Sequence, residues 1–519
     1  MKKLISRYPA PASAALMFIW FCALMILRDF SPGNELRYLS IADEMLSGGK
    51  FFALYNHGIA YADKPPLYFW LIALCKIIFG KHCMFALSML SFVPACVTIL
   101  IMDKWLVMSR PDVSPESRFT AGLMLSSTAL FLGAAVFVRM DMLMTMFIVL
   151  ALYSFLKDRP TAFAVFTFLA LFTKGPVGLL MPLLSVLASL LVEKKPLRRW
   201  FGLRTWLIIG IGCAVWFTGA YIDGGWEYME NLLVHQTAGR AINSFHHSEP
   251  LWYYLVVIWG FMAPWAFVAI PSFVGLIRRR KQLQATGDVL ISCSMSVTFV
   301  MLSCFSSKLG IYLLPITPLI IYCTPMLMAA DGCKRWMRIV NAVTSGILAI
   351  FWLAALIVLL SGAEFLDLSN YDFLGSPWAV VTAAVAFLCS LAGLILCRSW
   401  NKSVVALALS ILLLCPVGFP MIPQINNYVG YRNICLEIPA QADVYSWNCF
   451  RPENLDVYLG RDVAILDESC NALEDAVNEV LKNQNAVLLV RTRDLEGLEN
   501  VSDSLIRIDK GRYTLLMRE

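Results

Sequence analysis

Apolar runs of helical length succeed one another along the chain up to residue 421. They fall near 12–30, 84–103, 119–137, 140–156, 161–173, 176–192, 204–222, 252–276, 288–305, 310–330, 339–361, 377–397 and 403–421. A helix that crosses a bilayer needs about 20 mostly apolar residues. The pattern therefore predicts a membrane all-α bundle of about 13 transmembrane helices, with 161–173 the shortest. An odd number of crossings puts the two termini on opposite sides. Polar sequence interrupts the pattern at about 31–83, at about 223–251 and from 422 to 519. Within the first of these, Leu39, Ile41, Ala42, Met45 and Leu46 repeat at helical spacing, and Gly48-Gly49 ends the repeat. The apolar run from Leu67 to Phe79 lies between two external stretches and predicts a helix lying in the interface. The tail has short strand-like runs at Val463–Leu466, Ala486–Val490 and Tyr513–Met517, with a helical pattern at Ala472–Lys482. It reads as a small extracytoplasmic α/β domain, 422–519, following a transmembrane domain, 1–421.

Composition agrees. Hydrophobic residues make up 59% of the chain and charged residues 15%, against about half and a quarter in a soluble domain. No basic stretch is interleaved with aromatics, which argues against nucleic-acid binding. Most of the 15 cysteines sit in apolar runs; Cys435, Cys449 and Cys470 lie in polar sequence, where one disulfide is conceivable. The N-terminal run lacks a small-residue cleavage site before Arg28 and reads as a retained first span.

The positive charges alternate with the loops. Basic loops hold Lys2, Lys3 and Arg7; Lys104, Arg110 and Arg118; Lys157 and Arg159; Lys194, Lys195, Arg198 and Arg199; Arg278 to Lys281; Lys334, Arg335 and Arg338; and Arg398 and Lys402. The intervening short loops carry only Arg139, Lys174 and Lys308. Positive loops stay in the cytoplasm. The expected arrangement is a multi-pass protein of the cell (inner) membrane, with its N-terminus cytoplasmic and its C-terminal domain outside.

Charges at membrane depth are costly and point to function, although a snorkelling anchor is the plainer reading for any one Lys or Arg. Arg37, Lys64, Arg139, Lys174, Arg240 and Lys308 all fall on the predicted outer side. Arg presents a planar fork to phosphate and Lys a point charge. Glu35 and Asp63 are carboxylates that could orient or deprotonate an acceptor. Tyr61 is equally well a groove floor or an interfacial belt residue. His235, His246 and His247 are equally well polar loop ends at the interface or contacts for an acceptor or a metal. No complete metal-ligand set is visible, so neither a metal nor a cofactor is expected.

Ordered motifs add to this reading. They are Asn34-Glu35-x-Arg37-Tyr38, Tyr61-x-Asp63-Lys64-Pro65, Arg139-Met140-Asp141-Met142-Leu143, Thr173-Lys174-Gly175, His246-His247-x-x-Pro250-x-Trp252-Tyr253-Tyr254, Gly260-x-x-x-Pro264-Trp265, and Ser307-Lys308-Leu309-x-x-Tyr312-x-x-Pro315. In this order they resemble the aminoarabinose-transferase branch of the membrane glycosyltransferases, which are relatives of the protein O-mannosyltransferases and have the GT-C fold. The resemblance covers residues 15 to about 320. It implies transfer of one sugar from a polyprenyl-phosphate-linked donor to a lipid or glycan acceptor, often lipid A, on the outer leaflet. It implies catalytic roles among Asn34, Glu35 and Asp63. Substrate contacts would come from Arg37, Tyr61, Lys64, Arg139, Asp141, Lys174, His235, Arg240, His246, His247, Lys308 and Tyr312. The family motif usually begins Asp-Glu, whereas this chain has Asn34, and an amide cannot serve as a base. Either Glu35 takes that role or the acceptor is an anion that needs no base. The rival class is a transporter or lipid flippase. Such proteins carry polar residues near the midplane of repeated halves, and no repeat is visible here.

Overall fold

The computed structural model describes residues 2–233, 249–279, 286–361, 371–466, 472–480, 482–483, 485–495 and 505–518. Each apolar run named above is mainly helical where it is described, with breaks at 127–128 and 262–265. Among the described residues nine helices are long and apolar enough to cross a membrane. A tenth crossing results if Pro115–Ser126 and Ala129–Val136, bent by 69°, form one span. The run at 252–276 is broken into Tyr253–Phe261 and Ala266–Arg278 around Pro264, because a proline interrupts the backbone ladder. Gly310–Asp331 is the central span, with 83% of its apolar window buried. Arg335–Ser361 lies at the rim, with 11% buried.

Two helices of this bundle are short. Met140–Leu156 has 17 residues and Pro160–Lys174 has 15. At 1.5 Å per residue they measure roughly 25 and 22 Å, less than the roughly 30 Å of hydrocarbon. They run antiparallel, joined by the turn Lys157–Arg159, so the start of one lies beside the end of the other. Those adjacent ends carry Arg139 and Asp141 on one side and Lys174 on the other. At the opposite end of the bundle, basic residues pair with carboxylates. Arg118 Nε donates to Asp103 Oδ1 at 2.8 Å, and Arg110 pairs with Asp288 and Arg279 with Asp331.

The segment after the first span forms the predicted helix, Glu35–Gly48, closed by Gly49 in the left-handed conformation. A two-residue hairpin follows, Tyr55–Asn56 against Ile59–Ala60. Its central residues, His57 and Gly58, both have positive φ, as a tight hairpin of this twist requires. Leu67–Phe79 buries Tyr68, Phe69, Ile72 and Ala73 and exposes Leu74, Ile77, Ile78 and Phe79. Its 13 residues give roughly 20 Å, too short to span and suited to lying in the interface.

The C-terminal domain is built on a five-stranded mixed sheet. Its order is Ala464–Ile465, Asp443–Ser446, Ala486–Arg491, Tyr513–Arg518, Leu505–Lys510. The first three strands are parallel, and the last two pair antiparallel. Helix Leu473–Val480 packs Leu473, Ala476, Val477 and Val480 against Ala486, Leu488 and Val490. Of the three predicted strands, Ala486–Arg491 and Tyr513–Arg518 each run one residue further than expected, while Ala464–Ile465 and the helix Leu473–Val480 are shorter. Asp443–Ser446 and Leu505–Lys510 are strands that the residue pattern does not announce. Of the three cysteines in polar sequence, Cys470 lies outside the described residues.

The domain is tied to the end of the first span through Asp29. This carboxylate accepts hydrogen bonds from Tyr458 Oη at 2.5 Å, Phe30 N at 2.7 Å and Arg432 N at 2.8 Å. Asn426 bridges the same point, accepting from Asp29 N at 2.9 Å and donating to the Leu27 carbonyl at 2.8 Å. The chain approaches so closely here that a Cβ on Gly430 would stand 1.9 Å from Asp29 Oδ2. Only glycine fits that position.

Candidate active site

The functional candidates that the structure describes gather at one end of the bundle, the end that carries the C-terminal domain. At its floor Asp141 is 1% exposed. It pairs with the Lys174 ammonium and with Arg139 Nε at 3.4 Å. The Lys174 ammonium also stands 4.9 Å over the Tyr312 ring. Ser91 fixes the backbone of Arg139, since Ser91 Oγ donates to its carbonyl at 3.0 Å and lies 3.2 Å from its amide. Tyr68 Oη reaches the same hydroxyl at 3.3 Å. One buried carboxylate thus holds two cations, which leaves a net positive charge at the ends of two short helices.

Above this floor lies the helix that begins at Glu35. Arg37 donates through Nη2 to Asn34 Oδ1 at 2.8 Å and stands 5.2 Å over the Tyr61 ring. Tyr61 opens the segment that carries Asp63 and Lys64. The Lys64 ammonium is within electrostatic reach of Asp141, so the floor and this segment share one field. The sequence places Lys64 and Asp141 77 positions apart (141 − 64), and the fold brings them within electrostatic reach.

Glu35 stands differently from the way its motif suggests. Its carboxylate is 1% exposed and accepts four hydrogen bonds. Arg28 gives two, Nη2 to Oε1 at 2.7 Å and Nη1 to Oε2 at 2.8 Å. Val138 N gives a third to Oε1 at 2.6 Å, and Ser31 N a fourth to Oε2 at 2.7 Å. A carboxylate has about four lone-pair sites, and all are occupied by the protein itself. Glu35 staples the end of the first span to the residue just before Arg139. Lys308 is similarly committed. It is 3% exposed and donates to the carbonyls of Phe305 at 2.6 Å and Glu249 at 2.8 Å. His235, Arg240, His246 and His247 lie outside the described residues.

Three residues join the site that the motifs do not single out. Arg28 is the partner of Glu35, and its only signal is a lone arginine at the end of an apolar run. Ser91 is an ordinary serine in a spanning helix, with no signal at all. Arg451 comes from the C-terminal domain and lies within electrostatic reach of Arg37, Tyr61 and Asp63. Burial, with the Arg37 guanidinium beside it, holds Arg451 below the usual arginine range.

No protein-family model matches the chain. Among curated proteins it is 22% identical over 547 residues to an undecaprenyl phosphate-alpha-4-amino-4-deoxy-L-arabinose arabinosyl transferase of Shewanella sediminis, covering 96% of each chain. It is 24% identical to a protein of that name in Pseudomonas fluorescens strain Pf0-1, covering 73% of this chain and 68% of the relative. A further one, in P. fluorescens strain Pf-5, is 27% identical, and the match spans about half of each, 54% and 49%. Among solved structures, ArnT from Cupriavidus metallidurans bound to undecaprenyl phosphate superposes with a TM-score of 0.72 at 17% identity, over 97% of this chain and 96% of that one. The apo form of the same protein gives 0.71. The chain is thus similar along nearly its whole length to these arabinosyl transferases and shares the fold of ArnT from Cupriavidus metallidurans.

Proposed function

We propose that the protein is a glycosyltransferase that moves a single sugar from a polyprenyl-phosphate donor to a lipid or glycan acceptor of the envelope, with lipid A the first candidate. The observation that carries this reading is the cationic floor: Arg139 and Lys174 held by one buried Asp141 at the ends of two short helices, with Lys64 within electrostatic reach. The relatives are named as arabinosyl transferases that act from undecaprenyl phosphate.

In the reaction we envisage, an acceptor oxygen attacks the anomeric carbon. The bond from that carbon to the phosphate oxygen breaks, and configuration inverts. The electron pair leaves with the lipid phosphate, whose growing negative charge needs fixed cations in a place of low dielectric. Lys64 and Arg139 are assigned to that phosphate. Lys174 and Asp141 hold Arg139 in place, and Tyr312 covers the Lys174 ammonium. Glu35 is assigned a positioning role, because its lone pairs are filled by Arg28 and two backbone amides. With Asn34 neutral, Asp63 is the remaining carboxylate of the two motifs for a hydroxyl acceptor, while a phosphate acceptor needs no base. Undecaprenyl lipids and glycans should therefore differ between envelopes of cells with and without the protein. Mass spectrometry should find one glycosylated species lost on deletion; identical profiles would contradict the reading.

The site is assigned to the outer face of the cytoplasmic membrane, with 422–519 as the extracytoplasmic domain. The support is the charge alternation, since the opposite end of the bundle carries most of the basic loops. Reporter fusions after Arg280 and after Glu519 should give opposite signals. Matching signals would remove the 13-span arrangement on which this assignment rests.

A further inference from the structure

Resting on the glycosyltransferase reading, the geometry points to a second anion site, in which Arg451 of the C-terminal domain and Arg37 of the juxtamembrane helix together grip a phosphate group on the acceptor. Arg451 is put there by a built contact. Tyr431 Oη donates to the Phe450 carbonyl at 2.9 Å. The Phe450 ring lies against Gly33, 3.6 Å from where a Cβ would stand, on the turn that leads into Asn34. The loop therefore sits on the start of the Arg37 helix. Arg451 and Asn448 in this loop have φ of 54° and 52°, a conformation that costs a residue with a side chain some free energy and persists where the surroundings impose it.

The loop thus brings Arg451 within electrostatic reach of Arg37, whose like charge opposes its own. Among the described residues the Arg451 guanidinium makes no hydrogen bond and no salt bridge, and stands 5.6 Å over the Phe450 ring. Arg37 spends Nη2 on Asn34, and its buried Nε has no partner among the described residues. Two forks with spare donors and no carboxylate salt-bridged to either suit an oxyanion with several acceptor oxygens. A bound phosphate would turn the repulsion into attraction. The donor phosphate already has cations from the bundle. Arg451 comes from the C-terminal domain, and we assign the acceptor to that side.

The test uses the full chain in detergent and three probes: bisphosphorylated lipid A, enzymatically dephosphorylated lipid A, and undecaprenyl phosphate. Arg451→Asn removes the charge and keeps a residue that tolerates positive φ. It should weaken binding of bisphosphorylated lipid A by about tenfold, the usual scale for a charged hydrogen bond. Affinity for undecaprenyl phosphate and for the dephosphorylated form should not change, and neither should the melting temperature. Arg451→Lys should recover part of the loss. Unchanged binding of bisphosphorylated lipid A by Arg451→Asn would overturn the site, and so would an equal loss for undecaprenyl phosphate. A wild-type protein that binds these lipids with the expected contrast but transfers no sugar would instead count against the glycosyltransferase reading.

Discussion

Glu35→Gln is expected to lose folded protein rather than to alter the pH dependence of turnover. The carboxylate is buried and takes two hydrogen bonds from Arg28, one from Ser31 N and one from Val138 N. An amide nitrogen would face a donor in at least one of these positions, and the Arg28 charge would be left buried without a counter-charge. Breaking a buried pair from one side costs about 3–5 kcal/mol, a large part of a typical folding free energy. Thermal unfolding of the detergent-purified variant should show a strongly lowered midpoint. Removing the charge from both partners, as in Arg28→Gln with Glu35→Gln, should recover part of the lost stability. Turnover should return with it at an unchanged pH optimum. A stable Glu35→Gln protein with turnover down 10²–10⁴-fold, the usual size for loss of a general base, would restore Glu35 to the catalytic role that its motif suggests.

Lys174→Met should be as damaging, for a related reason. It leaves Asp141 buried with Arg139, whose Nε stands 3.4 Å away, and the more distant Lys64. The expected cost is again about 3–5 kcal/mol, with turnover nearly abolished. Lys174→Met combined with Asp141→Asn removes both charges and should regain most of the stability. Turnover should not follow, because Arg139 has then lost the carboxylate that holds it. The two readouts, midpoint and turnover, separate a merely structural pair from one that positions a phosphate-binding arginine. Recovery of turnover together with stability in the double variant would remove the trio from the site.

These variants rest on contacts that lie at the limit of what the residue pattern conveys. Apolar length alone marks the helices, the interfacial run Leu67–Phe79 and the Gly49 stop, because burial in lipid or core depends on local composition. The motifs mark Arg37, Asp63, Lys64, Arg139, Asp141 and Lys174, and folding brings their segments to one end of the bundle. What the pattern cannot carry is the choice of partner. Lys308 and Lys174 are equally lone cations in the sequence. One donates to two carbonyls and the other to a buried carboxylate. Glu35 is adjacent to Asn34 in its motif, but its partner, Arg28, belongs to the preceding apolar run. Arg451 lies more than four hundred residues from Arg37, in a loop with no motif. The strand Asp443–Ser446 has too little alternation to announce itself. It exists because Ala486–Arg491 and Ala464–Ile465 flank it.

The most direct measurement is sugar transfer by the purified protein in vesicles that contain a synthetic undecaprenyl-phosphate aminosugar and lipid A, comparing wild type with Lys64→Ala. Lys64 is half-buried in a loop outside any helix or strand, before Pro65 and Pro66, so its truncation should leave folding and insertion intact. Losing a fixed cation on the leaving phosphate should lower the rate about 10²–10³-fold, the scale seen when one such electrostatic donor is removed. The account predicts glycosylated lipid A and free undecaprenyl phosphate in equal amounts with the wild-type protein, and neither above background with Lys64→Ala. Near-normal turnover by a folded Lys64→Ala protein would contradict the phosphate assignment, and no transfer by the wild type to any envelope acceptor would contradict the function itself.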